Sequence, residues 1–270
     1  MAMSQRWALL LQYDGTEFAG SQWQPNQPTV QGALQSALTE LTGATLPVTL
    51  AGRTDAGVHA LGQTASFVSE KSAEQMPAQR WVRGLNHFLP SSVAVQAAAP
   101  VADDFDPRRD ARSRTYVYQV RLANQRQPLW QARTWIVAGP FCLEAAQWAL
   151  EALVGHRDFA PFTPPTDDRA TLRTLREAAV QADGDTLAFR FRADSFLHHQ
   201  VRRMVGAVVE LATARCSLDE FRQALDRAAP GSMGPTAPAC GLTLAEVEYA
   251  PPLFDQSVNQ PSCHRDREGV

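Results

Sequence analysis

The chain has 270 residues, of which 44% are hydrophobic and 20% charged, with a formal net charge of −3. These values are ordinary for a globular protein of one large or two average domains, and a chain of this length can bury a core without disulfide or metal staples. No apolar run reaches the roughly 18 residues of a membrane span, and the first residues lack the pattern of a signal peptide. We therefore expect a cytoplasmic protein.

Cysteine usage agrees with that expectation. The chain has four cysteines, and they share no C-x-x-C spacing: Cys142, Cys216, Cys240 and Cys263. Zinc sites and disulfide frameworks need closer or patterned cysteines. We expect reduced, mostly buried thiols, as in a reducing compartment.

The first part of the chain alternates between strand and helix patterns. Thr29 is expected to cap a helix whose apolar residues recur at helical spacing up to Gly43, and Pro77 is expected to begin a second helix that runs to Leu89. Strands are predicted at residues 6–13, 47–50, 61–68 and 93–97.

The second part repeats this content in outline. Strands are predicted at residues 115–122, 134–137, 186–193 and 242–249, and helices at 143–154, 196–211 and 218–228. Residues 186–193 alternate strictly, with Leu187, Phe189 and Phe191 on one face and Arg190 and Arg192 on the other.

Two parts of similar content indicate an α+β fold with a mostly antiparallel sheet. We place an N-terminal half at residues 1–104 and a C-terminal half at 105–250. Residues 251–270 are rich in proline, serine and charge, and we expect them to form a flexible tail.

The most informative segment is residues 51–60, AGRTDAGVHA, which places two glycines, an arginine and an aspartate in a turn after a strand. Glycine permits tight turns and close approach of a ligand. An aspartate in such a turn often does no more than cap it by accepting nearby N–H groups, so the composition of the turn alone does not establish catalysis.

Residues 52–59, GRTDAGVH, resemble the catalytic loop of the tRNA pseudouridine synthase A family. Further segments resemble other motifs of that family in the same order along the chain: residues 13–20, 105–118, 196–206 and 241–244. The similarity covers about residues 5–250, an extent that isolated motif matches do not give.

This resemblance implies a fold and an activity. The fold would consist of two similar α/β halves joined into one central mixed, mostly antiparallel sheet flanked by helices, with the active cleft between the halves. The protein would act as a homodimer on tRNA and isomerise uridine to pseudouridine at positions 38, 39 and 40 of the anticodon stem-loop. The reaction has no redox change and transfers no external group, so we expect no cofactor and no metal.

The resemblance also assigns roles to five side chains. Asp55 is the catalytic carboxylate, and Arg202 is the arginine that pairs with it. Tyr116 is a catalytic residue that stacks on the target base and places its hydroxyl near the proton removed from it, and Leu242 contacts the other face of the base. Since a uridine in a stem must be flipped out of the duplex, Arg53 fills the gap or holds the flipped nucleotide.

The remaining predicted RNA contacts are basic. Phosphate neutralisation dominates RNA affinity, so local basic clusters can override a small negative net charge. A solvated surface is the alternative interpretation for each. The candidates are Arg108, Arg109, Arg112 and Arg114 near the strand at 115–122, with His198 and Arg203 on the helix of Arg202.

Two positions depart from the family pattern. Ser21 stands where the family often has tryptophan, and Asp106 where it often has histidine. Both positions are expected near the path of the RNA. They leave the Asp55 centre untouched.

Two other function classes fit these residues less well. A non-catalytic RNA chaperone would not require a carboxylate beside RNA phosphates. A glycosidase that uses Asp55 as its nucleophile would normally need a second acid, and the motifs contain no obvious partner. Two covalent courses, addition to the base ring and a glycal route, both use one carboxylate and both remain open.

Overall fold

A computed structural model describes residues 4–165 and 170–254. The strands are β1 Gln5–Tyr13, β2 Thr49–Leu50, β3 His59–Ser69, β4 Val93–Val101, β5 Ser113–Leu122, β6 Trp135–Val137, β7 Gly155–Asp158, β8 Leu172–Asp183, β9 Thr186–Ala193 and β10 Leu242–Glu248. The helices are α1 Val30–Thr42, α2 Ala78–Phe88, α3 Leu143–Leu153, α4 Gln200–Ala212 and α5 Leu218–Arg227, with 3-10 turns at Ala160–Phe162 and Ala239–Gly241. The predicted tail lies outside the described residues from position 255 onward.

Within the described residues, ten strands form one sheet. Its main path runs β4-β1-β3-β10-β5-β9-β8-β7, with β2 on β3 and β6 on β5. The β3–β10 and β5–β6 pairs are parallel, and the remaining pairs are antiparallel. The predicted α+β fold with a mixed, mostly antiparallel sheet is confirmed.

The parallel pair β3–β10 joins the early strands to the late ones. Thr243 is in register with His59, and Leu244 with Ala60. Since β3 begins directly after the aspartate loop, this join brings residues more than 180 positions apart to one point of the sheet. The chain passes from β4 to β5 over residues 102–112, where we placed the boundary between the halves; the division into two domains stays a prediction.

The ends of the helices and the buried face of strand β9 are determined by local side chains. The Thr29 hydroxyl accepts the Gly32 N–H at 3.2 Å at the start of α1, and Gly43 ends that helix in the left-handed region with φ 77°. Ser217 and Glu220 form a reciprocal capping box on α5. The apolar side chains of β9 are buried in alternation, as predicted.

The core is continuous across both halves. The rings of Trp7 and Phe67 both pack against Trp81 of α2, with centroid distances of 5.8 and 5.0 Å. The same connected cluster of buried apolar residues includes Phe189 and Phe191 of β9. None of the helices in the described ranges has the length and apolar character needed to cross a bilayer.

Three expectations were wrong. The helix predicted from residue 196 begins only at Gln200, because His199 has φ 59° and the chain is irregular before it. Strands β7 and β8 were missed. Of the three cysteines in the described ranges, Cys142 is exposed while Cys216 and Cys240 are half-buried, so these thiols are not mostly buried.

Candidate active site

Asp55 lies on the loop between β2 and β3 and faces the N-terminal turns of α4. An Arg202 Nη1–H donates to Asp55 Oδ2 at 2.8 Å, and the side chains are 15% and 26% exposed. Arg202 Nε donates to the Ala237 carbonyl at 2.7 Å, which fixes the guanidinium from its other side. A guanidinium held in this way orients the carboxylate and balances its charge.

The backbone of the aspartate loop is held by the segment after β1. The Ser21 hydroxyl accepts the Thr54 N–H at 2.8 Å, and the Ser21 N–H donates to the Thr54 carbonyl at 3.0 Å. The hydroxyls of Tyr13 and Thr54 are 2.9 Å apart. Gly20 has φ 110°, and a Cβ there would come within 2.9 Å of the Thr54 carbonyl oxygen, so glycine permits this close approach.

The start of the aspartate loop, at Ala51 and Gly52, is held by side chains of the sheet strands β3 and β5. The Gln63 side chain of β3 donates to the Gly52 carbonyl at 2.8 Å and accepts its N–H at 3.3 Å. Arg114 Nη2 donates to the Ala51 carbonyl at 3.1 Å. Buried polar groups paired in this way give the loop a single conformation.

Two histidines also face Asp55. Nε2 of His199 lies 3.4 Å from Oδ2, and Nε2 of His198 lies 3.7 Å from Oδ1. The rings lie close together, with centroids 3.7 Å apart. Burial lowers the pKa of His199, as do the cationic neighbours Arg202 and Arg203, whereas Asp55 acts in the opposite direction. With these ligand atoms all within 4.8 Å of one another, the three residues are also a candidate metal-binding group.

Tyr116 and Leu242 line the same cleft from adjacent strands, β5 and β10. The Tyr116 ring is 8% exposed and packs edge-on against Phe196, with centroids 5.3 Å apart. Burial raises the pKa of the Tyr116 hydroxyl well above its usual range, and the Asp55 charge adds to this effect. Tyr116 therefore keeps its proton at neutral pH. Leu242 is 6% exposed.

The cleft has a volume of about 960 Å³. It brings together most of the residues predicted from sequence to form the site: Arg53, Asp55, Arg108, Arg114, Tyr116, His198, Arg202 and Leu242. Arg109, Arg112 and Arg203 do not line it. Arg109 pairs with Asp110 at 2.9 Å, and Arg203 donates to the Gly231 carbonyl at 2.7 Å.

Arg114 differs from the other predicted RNA-binding arginines because it is 9% exposed. Besides Ala51, its guanidinium donates to the Asp194 carbonyl at 2.8 Å and the Arg108 carbonyl at 2.6 Å. These bonds use most of its donors within the protein. Its contact with RNA stays a prediction, and its bonds give it a framework role.

His198 also lies differently from expectation. It precedes α4 rather than lying on it, next to His199 in the left-handed conformation, and both rings lie near Asp55. The sequence gives no glycine to signal that turn, so the approach of the pair to the carboxylate was missed.

The two departures from the family pattern have structural roles. Ser21 is fully buried and supports the aspartate loop through Thr54, so its side chain does not lie on a surface path for RNA. The Asp106 carboxylate accepts the N–H groups of Arg108 and Arg109 at 2.8 and 2.9 Å. It therefore shapes the turn that carries the basic residues.

The arrangement can perform carboxylate chemistry on a polyanionic substrate. Asp55 is partly exposed at the cleft floor, paired but not enclosed. A tyrosine and a leucine offer apolar surface for a flat ring, and Arg53 and Arg108 are exposed at the cleft. No second carboxylate lines the described cleft, which argues against the two-acid arrangement of glycosidases.

Comparison with known proteins identifies the family. The family model described as tRNA pseudouridine synthase matches residues 10–109 and 149–250. A Burkholderia thailandensis protein named tRNA pseudouridine synthase A is 40% identical over 270 residues, covering 98% of this chain and 99% of its own length. Proteins of the same name from Myxococcus xanthus and Bordetella petrii are 41% and 40% identical, over 90% and 91% of this chain and 92% of each relative.

Among solved structures, the crystal structure of a Cbf5-Nop10-Gar1 complex matches 75% of this chain and 54% of its own, with a TM-score of 0.33 and 9% identity. That likeness is too remote to add to the assignment. On the family match and the identity of its relatives along nearly their whole length, the chain belongs to the tRNA pseudouridine synthase family.

Proposed function

We propose that this protein isomerises uridine to pseudouridine in tRNA, with Asp55 as the catalytic carboxylate. The observation that supports this most strongly is the 2.8 Å pair between Asp55 and Arg202 in a cleft lined by residues of all five segments that resemble family motifs. Family membership supports the reaction, and the geometry supports the choice of residue.

The reaction breaks the bond between C1′ of the ribose and N1 of uracil, turns the base, and joins C1′ to C5. The C5 proton is then lost and N1 gains a proton, so atoms and electrons balance without a cofactor. Asp55 can serve as a nucleophile or stabilise a cationic sugar. We expect neither a cofactor nor a metal to take part.

Tyr116 and Leu242 are proposed to hold the flipped uracil between them. Burial keeps the tyrosine protonated, so its hydroxyl can donate a hydrogen bond to the base. Arg53, exposed on the aspartate loop, is proposed to occupy the gap in the stem or to bind the phosphate of the flipped nucleotide.

The RNA backbone is proposed to cross the exposed arginines beside the cleft. Arg108 lines the cleft, and Arg109 and Arg112 are exposed next to it in sequence. His198 lies at the entrance with its side chain 51% exposed. Arg203 is the weakest candidate because its guanidinium is turned toward Gly231.

The finer proposals follow the family resemblance. We propose that the target uridines are positions 38, 39 and 40 of the tRNA, that two copies of the chain act as a homodimer, and that the protein works in the cytoplasm. The division at residues 104 and 105 is proposed as the border between the two halves that enclose the cleft.

The test is modification mapping of undermodified tRNA incubated with the purified protein and no added cofactor. We expect pseudouridine at positions 38–40 and no free uracil. Release of uracil would identify a hydrolase, and tRNA binding with no change of any uridine would identify a non-catalytic binder. Light scattering of the same preparation measures the number of chains per particle.

A further inference from the structure

Three side chains that line the cleft, those of Asp55, His198 and His199, have the composition of a transition-metal site. Nε2 of His199 lies 3.4 Å from Asp55 Oδ2, and Nε2 of His198 lies 3.7 Å from Oδ1. A tetrahedral ion with bonds of about 2.0–2.1 Å keeps neighbouring ligand atoms roughly 3.3–3.4 Å apart. The two imidazole nitrogens and a carboxylate oxygen all lie within 4.8 Å of one another, so modest rotations of the two imidazole rings would bring them to one ion.

We propose that Asp55, His198 and His199 together bind a divalent transition-metal ion such as Zn²⁺ or Co²⁺, and that the bound ion inhibits the enzyme. The ion would have two imidazole nitrogens and one carboxylate oxygen as ligands, with its fourth position open to water. Inhibition rests on the proposed catalytic role of Asp55, whereas binding of the ion does not.

The ligand set selects the class of ion. Imidazole nitrogen suits zinc, cobalt, nickel and copper, whereas Mg²⁺ prefers oxygen ligands and keeps its waters. The cleft should therefore remain free of Mg²⁺ under conditions in which tRNA is folded with that ion. This difference makes Mg²⁺ a matched control of equal charge.

Arg202 limits how tightly the ion binds. Its Nη1 lies 2.8 Å from Asp55 Oδ2, so a metal ion is left with Oδ1 as its carboxylate ligand. The guanidinium also repels a second cation at short range. We therefore expect reversible binding in the micromolar range, weaker than at a structural zinc site.

The position of the ion explains why it would inhibit. It would occupy Oδ1, the oxygen that Arg202 leaves free, and it would fill the space between the histidines and the carboxylate. A uridine could not then reach Asp55. The ion acts as an inhibitor, so the site is compatible with a reaction that needs no metal.

The direct test is titration of the full-length protein with Co²⁺, followed by visible absorption. We expect the intense bands of tetrahedral cobalt. Substitution His198→Asn or His199→Asn should weaken binding by at least about tenfold, since loss of even an outer partner commonly costs that much. His156→Asn on β7, where the ring contacts the Thr174 hydroxyl, is the control variant and should bind like the unchanged protein.

Three results would overturn the proposal: no tetrahedral bands, equal affinity in all variants, or a strong near-ultraviolet thiolate band that places the ion on a cysteine. Circular dichroism shows whether each variant is folded. Substitution of His198 should disturb the fold little, because its side chain is 51% exposed.

The second arm measures pseudouridine formation with Zn²⁺, with Mg²⁺ at the same concentration, and after addition of a chelator. We expect Zn²⁺ to stop the reaction, the chelator to restore it, and Mg²⁺ to have no such effect. A full rate with cobalt or zinc bound at the cluster would refute the inhibition. A protein that is inactive without metal but shows the cobalt bands would refute the proposed function alone.

Discussion

Asp55 is held by residues from distant parts of the chain. Arg202 of α4 fixes its carboxylate, Ser21 fixes the backbone of the preceding Thr54, and Tyr13 of β1 fixes the Thr54 side chain. Each contact restricts the conformations that the aspartate loop can adopt before substrate binds. A catalytic group that is held within a fraction of an ångström of its productive position reacts faster.

Ser21 should therefore affect the rate more than tRNA binding. The substitution Ser21→Ala leaves the buried Thr54 N–H without its acceptor, at a cost of about 1–3 kcal/mol, and loosens the loop next to Asp55. We expect kcat to fall about tenfold with an unchanged KM for tRNA, because this is a positioning effect. Steady-state kinetics measures both constants.

Ser91→Ala, at an exposed position before β4, is the control for that experiment. A Ser21→Ala protein with normal kcat, or with a raised KM alone, would show that the hydrogen bond to Thr54 does not position the carboxylate.

Some residues of the site could be predicted from the sequence, and others could not. The conspicuous motif residues Asp55, Arg202, Tyr116 and Leu242 were named from family resemblance and lie together in one cleft. The contribution of Ser21 was missed because its side chain acts on a backbone N–H, and a single serine in a loop carries no signal of such a bond.

At the scale of the elements, helix α4 and the segment at residues 235–237, which crosses that helix, orient the Arg202 side chain. The Ala237 N–H donates to the Arg202 carbonyl at 3.2 Å, while Arg202 Nε donates to the Ala237 carbonyl. This close crossing requires glycine on the helix, since a Cβ at Gly206 would come within 2.0 Å of the Pro235 carbonyl oxygen.

We expect Gly206→Ala to force the crossing segment away from α4. Overpacking of this kind costs about 1–3 kcal/mol, and activity should fall as well because Arg202 loses its support from Ala237. Urea denaturation gives the free energy of unfolding, and pseudouridine formation gives the activity.

The matched control is Gly84→Ala on α2. A Cβ there meets the end of the Leu41 side chain at 2.7 Å, and a flexible side chain can move where a backbone carbonyl cannot. Alanine also favours a helix over glycine by about 0.8–1.0 kcal/mol. Equal destabilisation by the two substitutions would contradict the role given to the crossing.

Element boundaries could be predicted where side chains cap or alternate. The Thr29 cap and the alternation of β9 were both confirmed. Strand β8 was missed because it contains Glu177, Ala178 and Ala179, which have low strand preference. The start of α4 was misplaced because the left-handed turn at His199 interrupts an otherwise continuous helical pattern.

At the scale of the whole molecule, the early and late strands share one sheet and one core. The β3–β10 pair joins them directly behind the aspartate loop, and a single cluster of buried apolar residues extends from Trp7 to Phe221. The halves are therefore expected to depend on each other for stability.

A shared core predicts one cooperative unfolding transition. Far-ultraviolet circular dichroism and tryptophan fluorescence should give the same midpoint in urea, since Trp81 and Trp148 lie in different halves but in one packed structure. Two separate transitions would show that the halves unfold independently.

The general fold could be predicted from the alternation of strand and helix patterns and from the family resemblance. The order of the strands could not be derived from periodicity alone, because parallel pairing of β3 with β10 joins residues more than 180 positions apart. Local patterns carry no information about such a contact.

The measurement that tests the catalytic role of Asp55 most directly is single-turnover pseudouridine formation by the Asp55→Asn protein, with tRNA affinity measured in parallel. Asn keeps the size of the side chain but removes its charge. Asp219→Asn, at an exposed position on α5, is the control and should behave like the unchanged protein. For Asp55→Asn we predict a rate lower by at least about a thousandfold, with tRNA affinity within about threefold of the original, since phosphate contacts dominate binding. Pseudouridine formation at a near-normal rate, or a loss of binding that matches the loss of rate, would contradict the catalytic role of Asp55.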